Sequence, residues 1–161
     1  MKKLLLLLVV LLAFPLFAEK IACVDMKKVW EGSKEIQTEK SKFESMIKKS
    51  QAELKQKEDE LQKMQDKAKK DGANMTEEAK KALFEEMQTK YAKYQQLAAE
   101  HQKKLQDRDV KVQGDFVEKV KKIAGQIAKS KGIDIVLPKE NVLYIADALD
   151  LTSEVVKAVN K

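Results

Sequence analysis

The sequence is poor in the residue types from which most catalytic and metal sites are built. It contains one cysteine and one histidine, so an intrachain disulfide and a Cys/His metal cluster are both excluded. Neither a glycine-rich phosphate loop nor a Gly-x-Ser-x-Gly motif occurs in it. We therefore expect a protein that is not an enzyme, without catalytic residues, metal or cofactor.

Helix-breaking residues are also scarce, with two prolines and five glycines among 161 residues. The highly charged stretch 34–131 contains no proline, and an apolar stripe with heptad-like spacing runs through its first half. That stripe consists of Ile36, Phe43, Ile47, Leu54, Leu61, Met64 and Ala68. Asp71 and Gly72 break it, and Thr76 is a suitable N-cap for a new helix. The pattern predicts two long helices joined near residues 71–76.

The second helix is predicted to run from about Glu77 to Lys131. One face of it carries Leu83, Met87, Tyr91, Tyr94, Ala98, His101, Leu105, Val112, Phe116, Val120, Ile123 and Ile127. His101 lies in this stripe, where a packing role is far more common than a catalytic one. Gly132 is a natural stop.

Short apolar segments at both ends of the chain predict a small sheet. Ile21–Val24, Ile133–Leu137 and Val142–Ile145 are typical of strands, and Thr152 or Ser153 is expected to cap a last helix. The predicted fold is mainly α with a small β body, formed by residues 19–33 and 132–161. From this body a long antiparallel α-hairpin arm, residues 34–131, is expected to project.

Such a small body has a marginal core and open strand edges, so we expect it to be completed by oligomerisation. The candidate oligomerisation residues are the apolar side chains of the three predicted strands: Ile21, Val24, Ile135, Leu137, Val142 and Tyr144.

The first eighteen residues are predicted to be a signal peptide outside the fold. Lys2 and Lys3 precede the apolar run Leu4–Leu12, and Ala18 follows as a plausible cleavage position. A formal charge of +6 would ordinarily suggest a nucleic-acid partner, but an exported protein meets little nucleic acid. The basic excess lies in 34–131, where acids are nearly as common as lysines. We therefore expect no nucleic-acid partner, and favour anionic lipid or acidic polypeptide.

The methionine and aromatic side chains of the two predicted helices exceed what a single helix–helix seam requires. Flexible thioethers and aromatic rings suit a surface that accepts varied partners, although a purely packing role is equally compatible with their spacing. The candidate binding residues are Met64, Met75, Phe84, Met87 and Tyr91. Lysines near the predicted turn are candidates for contact with anionic lipid or acidic partners: Lys67, Lys69, Lys70, Lys80 and Lys81.

Four segments and the charged hairpin between them give the chain its resemblance to a known family. Lys20–Met26, Gly132–Leu137, Val142–Tyr144 and Asp150–Lys157 occur in an order and spacing that resembles the Skp (OmpH-like) periplasmic chaperones of Gram-negative bacteria. The resemblance covers nearly all of the chain after the signal peptide. No single segment is a strict motif.

The resemblance implies a homotrimer with a β body and three α-hairpin arms enclosing a cavity. It further implies an ATP-independent periplasmic holdase that binds unfolded outer-membrane proteins and prevents their aggregation, and contact with lipopolysaccharide or an anionic membrane surface. The alternative from another class is a structural or adaptor coiled-coil protein of the cell envelope. That protein would bind a defined folded partner, whereas a holdase binds several unrelated unfolded ones.

Overall fold

The computed structural model describes residues 19–161, so the predicted signal peptide lies outside the described residues. Two strands and four α-helices follow one another in this part of the chain. They are β1 (Ile21–Val24), α1 (Met26–Glu31), α2 (Lys34–Asp71), α3 (Glu77–Lys131), β2 (Ile135–Pro138) and α4 (Thr152–Val159), with short 3-10 turns at Gly72–Asn74, Lys139–Asn141 and Asp147–Leu149. The prediction of a mainly α fold with two long helices and a small sheet is confirmed.

Polar side chains define where the first three helices begin. The carboxylate of Asp25 accepts a hydrogen bond from the backbone N–H of Lys28 at 2.9 Å. The hydroxyl of Ser33 accepts from Ile36 at 3.3 Å, and the hydroxyl of Thr76 accepts from Ala79 at 3.2 Å. Each bond satisfies one of the free N–H groups of a first helical turn. The predicted cap at Thr76 is confirmed.

Helix α3 ends at a glycine in the left-handed conformation. Gly132 has a φ of 62°, and its N–H donates to the carbonyl of Lys129 while the N–H of Ile133 donates to the carbonyl of Ala128. These two bonds form a Schellman motif. The predicted stop at Gly132 is confirmed, and Ile133 belongs to the helix end, so β2 starts two residues later than predicted.

The sheet joins the two ends of the described chain. Strands β1 and β2 are parallel, with Ile21 opposite Ile135 and Val24 opposite Pro138. On the other side of β1, Cys23 forms a parallel bridge with Asp150, and the carbonyl of Cys23 accepts a hydrogen bond from Leu151 at 2.9 Å. Strand β1 is therefore held from both sides by residues from the end of the chain.

The prediction of a third strand at Val142–Ile145 is wrong. Within the described residues the sheet holds two strands, and the position beside β1 is already occupied by Asp150. Leu143 is fully exposed and Tyr144 is 86% exposed. A strand needs a hydrogen-bonded neighbour, which a run of β-prone residues does not provide by itself.

The start of α4 also differs from the prediction, because neither Thr152 nor Ser153 caps it; the preceding residue is Leu151, which has no capping side chain. The Thr152 hydroxyl accepts a hydrogen bond from the backbone N–H of Asp25 at 2.8 Å and donates to the carboxylate of Asp150. Thr152 is therefore engaged in linking β1 to α4.

The described residues form two compact units. The sheet unit comprises the residues up to Gly32 together with Val120–Lys161, and the hairpin unit is Ser33–Lys119. In the sheet unit, Val29, Leu151 and Val155 are fully buried where α1 packs on α4. None of the helices between residues 19 and 161 combines the length and apolarity needed to cross a bilayer.

Candidate functional site

The two long helices of the hairpin unit are antiparallel, as polar contacts between them demonstrate. Glu35 pairs with Lys119 and Glu39 with Arg108, and farther along α2 Glu60 lies 3.9 Å from Lys90. As the residue number rises on α2, the number of its partner on α3 falls. Apart from two adjacent pairs, 46/47 and 60/61, the half-buried positions of α2 are spaced by three and four residues, which is the spacing of a single packing seam.

Glu39 and Arg108 form a mostly buried charged contact in this seam. The Glu39 side chain is 19% exposed, and it also accepts a hydrogen bond from Lys42 at 2.8 Å. The Lys42 hydrogen bond, followed by the Arg108 contact, lowers the pKa of Glu39 below its usual range, although burial acts in the opposite direction. The carboxylate therefore stays ionised in the seam.

A polar cluster that sequence reasoning missed lies at the middle of the seam. The Nδ1 atom of His101 is 3.0 Å from the hydroxyl of Ser50, and its Nε2 atom is 3.1 Å from a carboxylate oxygen of Glu53. Ser50 occupies a seam position where the stripe would hold an apolar residue. In the sequence, this cluster is indicated by a serine that interrupts the apolar stripe of α2 and by a histidine in the apolar stripe of α3.

The five candidate binding residues fall into two groups by exposure. Met64, Met75 and Met87 are half-buried, whereas Phe84 is 60% and Tyr91 54% exposed. The exposed pair is seven residues apart, two turns along one face of α3. Tyr91 was predicted in the seam stripe, but it lies beside the seam, where the half-buried Lys90 takes the position.

The exposed aromatic rings are not shielded by the hairpin. Tyr91 stacks against Tyr94, with ring centroids 6.5 Å apart and an interplanar angle of 22°. Tyr94 is half-buried, so the stack leads from the seam to the surface. This face of α3 offers apolar area to a partner.

A small pocket lies where α2 passes into the turn. This tip pocket has a volume of about 250 Å³. Its apolar lining is Ala68 from α2, Met75 from the turn, and Leu83, Phe84 and Met87 from α3. Gly72 and Lys80 complete the lining. Three of the five candidate binding residues, Met75, Phe84 and Met87, therefore come together in one place, whereas Met64 and Tyr91 are not among its lining residues.

The five candidate lysines differ in their ionic contacts. Lys80 is 2.7 Å from Glu77, and Lys81 is 4.0 Å from Glu85. The other three are Lys67, Lys69 and Lys70. Within residues 19–161, none of them pairs with a carboxylate. These three lie in the last turns of α2, where a cation is also favoured by the helix dipole.

The six candidate oligomerisation residues are unequally exposed in the sheet unit. Val24 is buried and Val142 half-buried, whereas Ile21, Ile135, Leu137 and Tyr144 are exposed. Leu143, which the sequence prediction left out, is also fully exposed. Beside the sheet lies a groove of about 600 Å³, whose apolar lining includes Val24, Val120, Val136 and Leu137.

Asp150 is the most strongly perturbed carboxyl group of the sheet unit. Burial acts to raise its pKa, but hydrogen bonds from Lys139 and from the side chain and backbone of Thr152 outweigh it and lower the pKa to about 2. Asp150 thus links the turn after β2, the start of α4 and, through Thr152, the end of β1. We assign it a structural role on the basis of these hydrogen bonds.

The fold is that of a paired-helix protein with a small parallel sheet formed by both chain ends, and known proteins share it. The chain belongs to the family described as Outer membrane protein (OmpH-like), which matches residues 20–159. The resemblance predicted from the sequence is confirmed.

A solved structure from Caulobacter crescentus CB15, provisionally described as an outer membrane chaperone (OmpH-like), is similar to this chain with a TM-score of 0.80. The two are 16% identical, and the match covers 88% of this chain and 84% of that one. At this identity the likeness shows the fold alone. Curated protein sequences give no significant match.

Proposed function

We propose that the chain is an ATP-independent holdase chaperone of the periplasm, which binds unfolded outer-membrane proteins and prevents their aggregation before membrane insertion. Membership of the OmpH-like family supports a chaperone role. The observation that carries the proposal is the exposed apolar area of the hairpin, above all Phe84 and Tyr91. A surface of exposed rings and half-buried thioethers binds apolar segments without requiring one sequence.

In the proposed mechanism each hairpin makes several weak apolar contacts with a client. Hairpins held together in one oligomer convert later contacts into intramolecular events, which raises the overall affinity without any new type of contact. Lys67, Lys69 and Lys70, which pair with no carboxylate of residues 19–161, add long-range attraction to acidic clients. Salt screens this attraction and weakens it. No nucleotide is required, since binding and release follow the client's own folding.

The proposed oligomer is a homotrimer formed through the sheet unit. Support comes from the apolar side chains exposed there, Ile21, Ile135, Leu137 and Tyr144, and from the groove beside the sheet. A second chain that covers these residues would remove apolar area from water and give the unpaired strand edges hydrogen-bonded neighbours.

Analytical ultracentrifugation tests the proposal directly. The chain without its predicted signal peptide should sediment as a trimer, and should co-sediment with several unrelated outer-membrane proteins that are diluted from urea. A monomer would contradict the proposed assembly. Saturable one-to-one binding to a folded envelope protein, without capture of unfolded ones, would favour the adaptor alternative.

A triple variant tests the binding surface. Replacing Met64, Phe84 and Met87 with serine should weaken suppression of client aggregation, measured by light scattering, while the sedimentation coefficient of the oligomer stays the same. Unchanged suppression would contradict a binding role for these three side chains.

A further inference from the structure

The tip pocket has the size and chemistry of a site for one apolar side chain. Its volume of about 250 Å³ lies below the range of roughly 300–1,000 Å³ that is typical of pockets for drug-sized ligands. Five of its seven lining residues are apolar. The volume and the mostly apolar lining therefore fit one apolar side chain.

Two methionines make the pocket tolerant of different shapes. The thioether side chains of Met75 and Met87 have three rotatable bonds each and adapt to irregular surfaces. The pocket therefore has no basis for choosing strictly between an aromatic and a branched aliphatic side chain.

Gly72 lines the pocket without contributing a side chain. Its φ of −56° lies in the ordinary helical region, so the backbone does not require glycine there. A Cβ atom at this position would meet no atom within 4 Å. A larger side chain at Gly72 would therefore enter free space beside the lining without displacing an existing contact.

The lysines beside the pocket favour a bound segment in which acidic residues adjoin the apolar side chain. Ala68 lines the pocket, so Lys67 and Lys69 flank it at about 100° on either side of the helix. Lys70 follows one residue later, and none of the three has a carboxylate partner within residues 19–161. Three free ammonium groups beside an apolar cavity complement a polypeptide segment in which an acidic residue adjoins an apolar one.

We propose that the tip pocket binds a single aromatic or branched aliphatic side chain of an extended polypeptide, whose acidic neighbours contact Lys67, Lys69 and Lys70. Because an extended chain rises about 3.3 Å per residue, acids one or two positions from the apolar side chain fall within one helical turn of these lysines. The inference rests on the proposed function and specifies the client segment that the hairpin prefers.

The test uses labelled ten-residue peptides of glycine and serine with one phenylalanine between two aspartates, and fluorescence anisotropy at low salt. Replacing the phenylalanine with alanine should weaken binding roughly tenfold, as expected for one largely buried ring. Replacing the aspartates with lysines should weaken binding as well. Equal binding of the alanine peptide would overturn the proposal.

Gly72→Leu adds a large side chain at a lining residue of the pocket and should weaken binding of the phenylalanine peptide roughly tenfold. Gly114→Leu is the matched control, since Gly114 also has open space at its Cβ position and does not line the pocket. Ala68→Leu is a second filling variant if circular dichroism shows that Gly72→Leu has lost helix. Equal binding by a folded filling variant and the control would overturn the proposal.

The charges are tested by replacing Lys67, Lys69 and Lys70 with glutamine. Affinity should fall and depend less on salt. The control replaces the exposed Lys40, Lys48 and Lys49 with glutamine. It removes the same number of charges from the same helix. A control that loses as much affinity as the tip variant would overturn the proposed charge selection.

Two further measurements separate the alternatives. If Gly72→Leu loses binding to phosphatidylglycerol vesicles but keeps peptide binding, the occupant is a lipid and the proposal is wrong. If the native chain prevents aggregation of unfolded outer-membrane proteins and Gly72→Leu binds peptides equally well, the chaperone function stands and the tip site fails. If the native chain does not prevent aggregation, the proposed function itself fails.

Discussion

The substitution Asp150→Asn should destabilise the sheet unit in a pH-dependent way. Asparagine keeps an oxygen that accepts from Thr152 but removes the charge that pairs with Lys139. The pKa of Asp150 is about 2 in the fold, against an ordinary value of 3.8. Nearly two pKa units correspond to about 2.5 kcal/mol at 1.36 kcal/mol per unit. Because the Lys139 side chain is 40% exposed, solvent screening lowers our expectation to about 1–2 kcal/mol.

The sign of the pH dependence follows from the direction of the shift. A carboxyl group whose pKa is lower in the folded state contributes its full stability above the unfolded pKa, near pH 4. The contribution is lost as the pH falls through the folded pKa of about 2. The native chain should therefore exceed Asp150→Asn in free energy of unfolding by a nearly constant amount well above pH 4, and the two should converge as the pH falls below 2.

Urea denaturation followed by the fluorescence of Trp30 is a suitable assay, since Trp30 is the only tryptophan and lies on α1 in the sheet unit. Protein concentration must be held constant, because the proposed subunit association would also stabilise the fold. Asp147→Asn is the matched control: it is a nearby exposed aspartate, and its replacement should have little effect. An equal stability difference at pH 2 and pH 6, or none at pH 6, would refute the reasoning.

Three further predictions concern single positions. Gly132→Ala should cost about 1–2 kcal/mol, because alanine at a φ of 62° is strained, whereas Gly125→Ala, in the interior of α3, should be neutral or stabilising; equal urea midpoints for the two variants would contradict this. The thiol of Cys23, whose pKa is raised chiefly by burial, should react with Ellman's reagent slowly in the native chain and rapidly in urea, and fast native reaction would show that the site is open. Arg108→Met should lower helix stability by roughly 1–3 kcal/mol in thermal melts followed by circular dichroism, because Glu39 loses a partner in the seam; adding Glu39→Gln should restore part of the loss, and a larger loss in the double variant would count against the pair.

Local signals were enough to predict the ends of the long helices. Gly72 interrupts the first apolar stripe, the Thr76 hydroxyl caps the next helix, and Gly132 supplies the left-handed residue at its end. Each of these effects depends on residues within one or two turns, so the sequence alone carries it.

Features that depend on distant neighbours could not be predicted in the same way. The apolar segment Val142–Ile145 has the composition of a strand, yet Asp150 occupies the available place beside β1. Ser50 and His101 are 51 positions apart, and their contact follows only once the exact alignment of the two helices is known. In the candidate site, the exposure of Tyr91 depends on the same alignment, because a shift of one position decides between seam and surface.

The parallel pairing of β1 with β2 has a consequence for how the chain acquires its structure. Lys20 and Asp134, which are hydrogen-bonded at the edge of the sheet, are 114 positions apart. The sheet therefore cannot form until the chain has been synthesised past β2. The helical segments between them need only nearby residues to form and shorten the loop that must close. Strand β1 therefore stays unpaired until β2 is available, and we expect the pairing of β1 with β2 to be the slow step of folding.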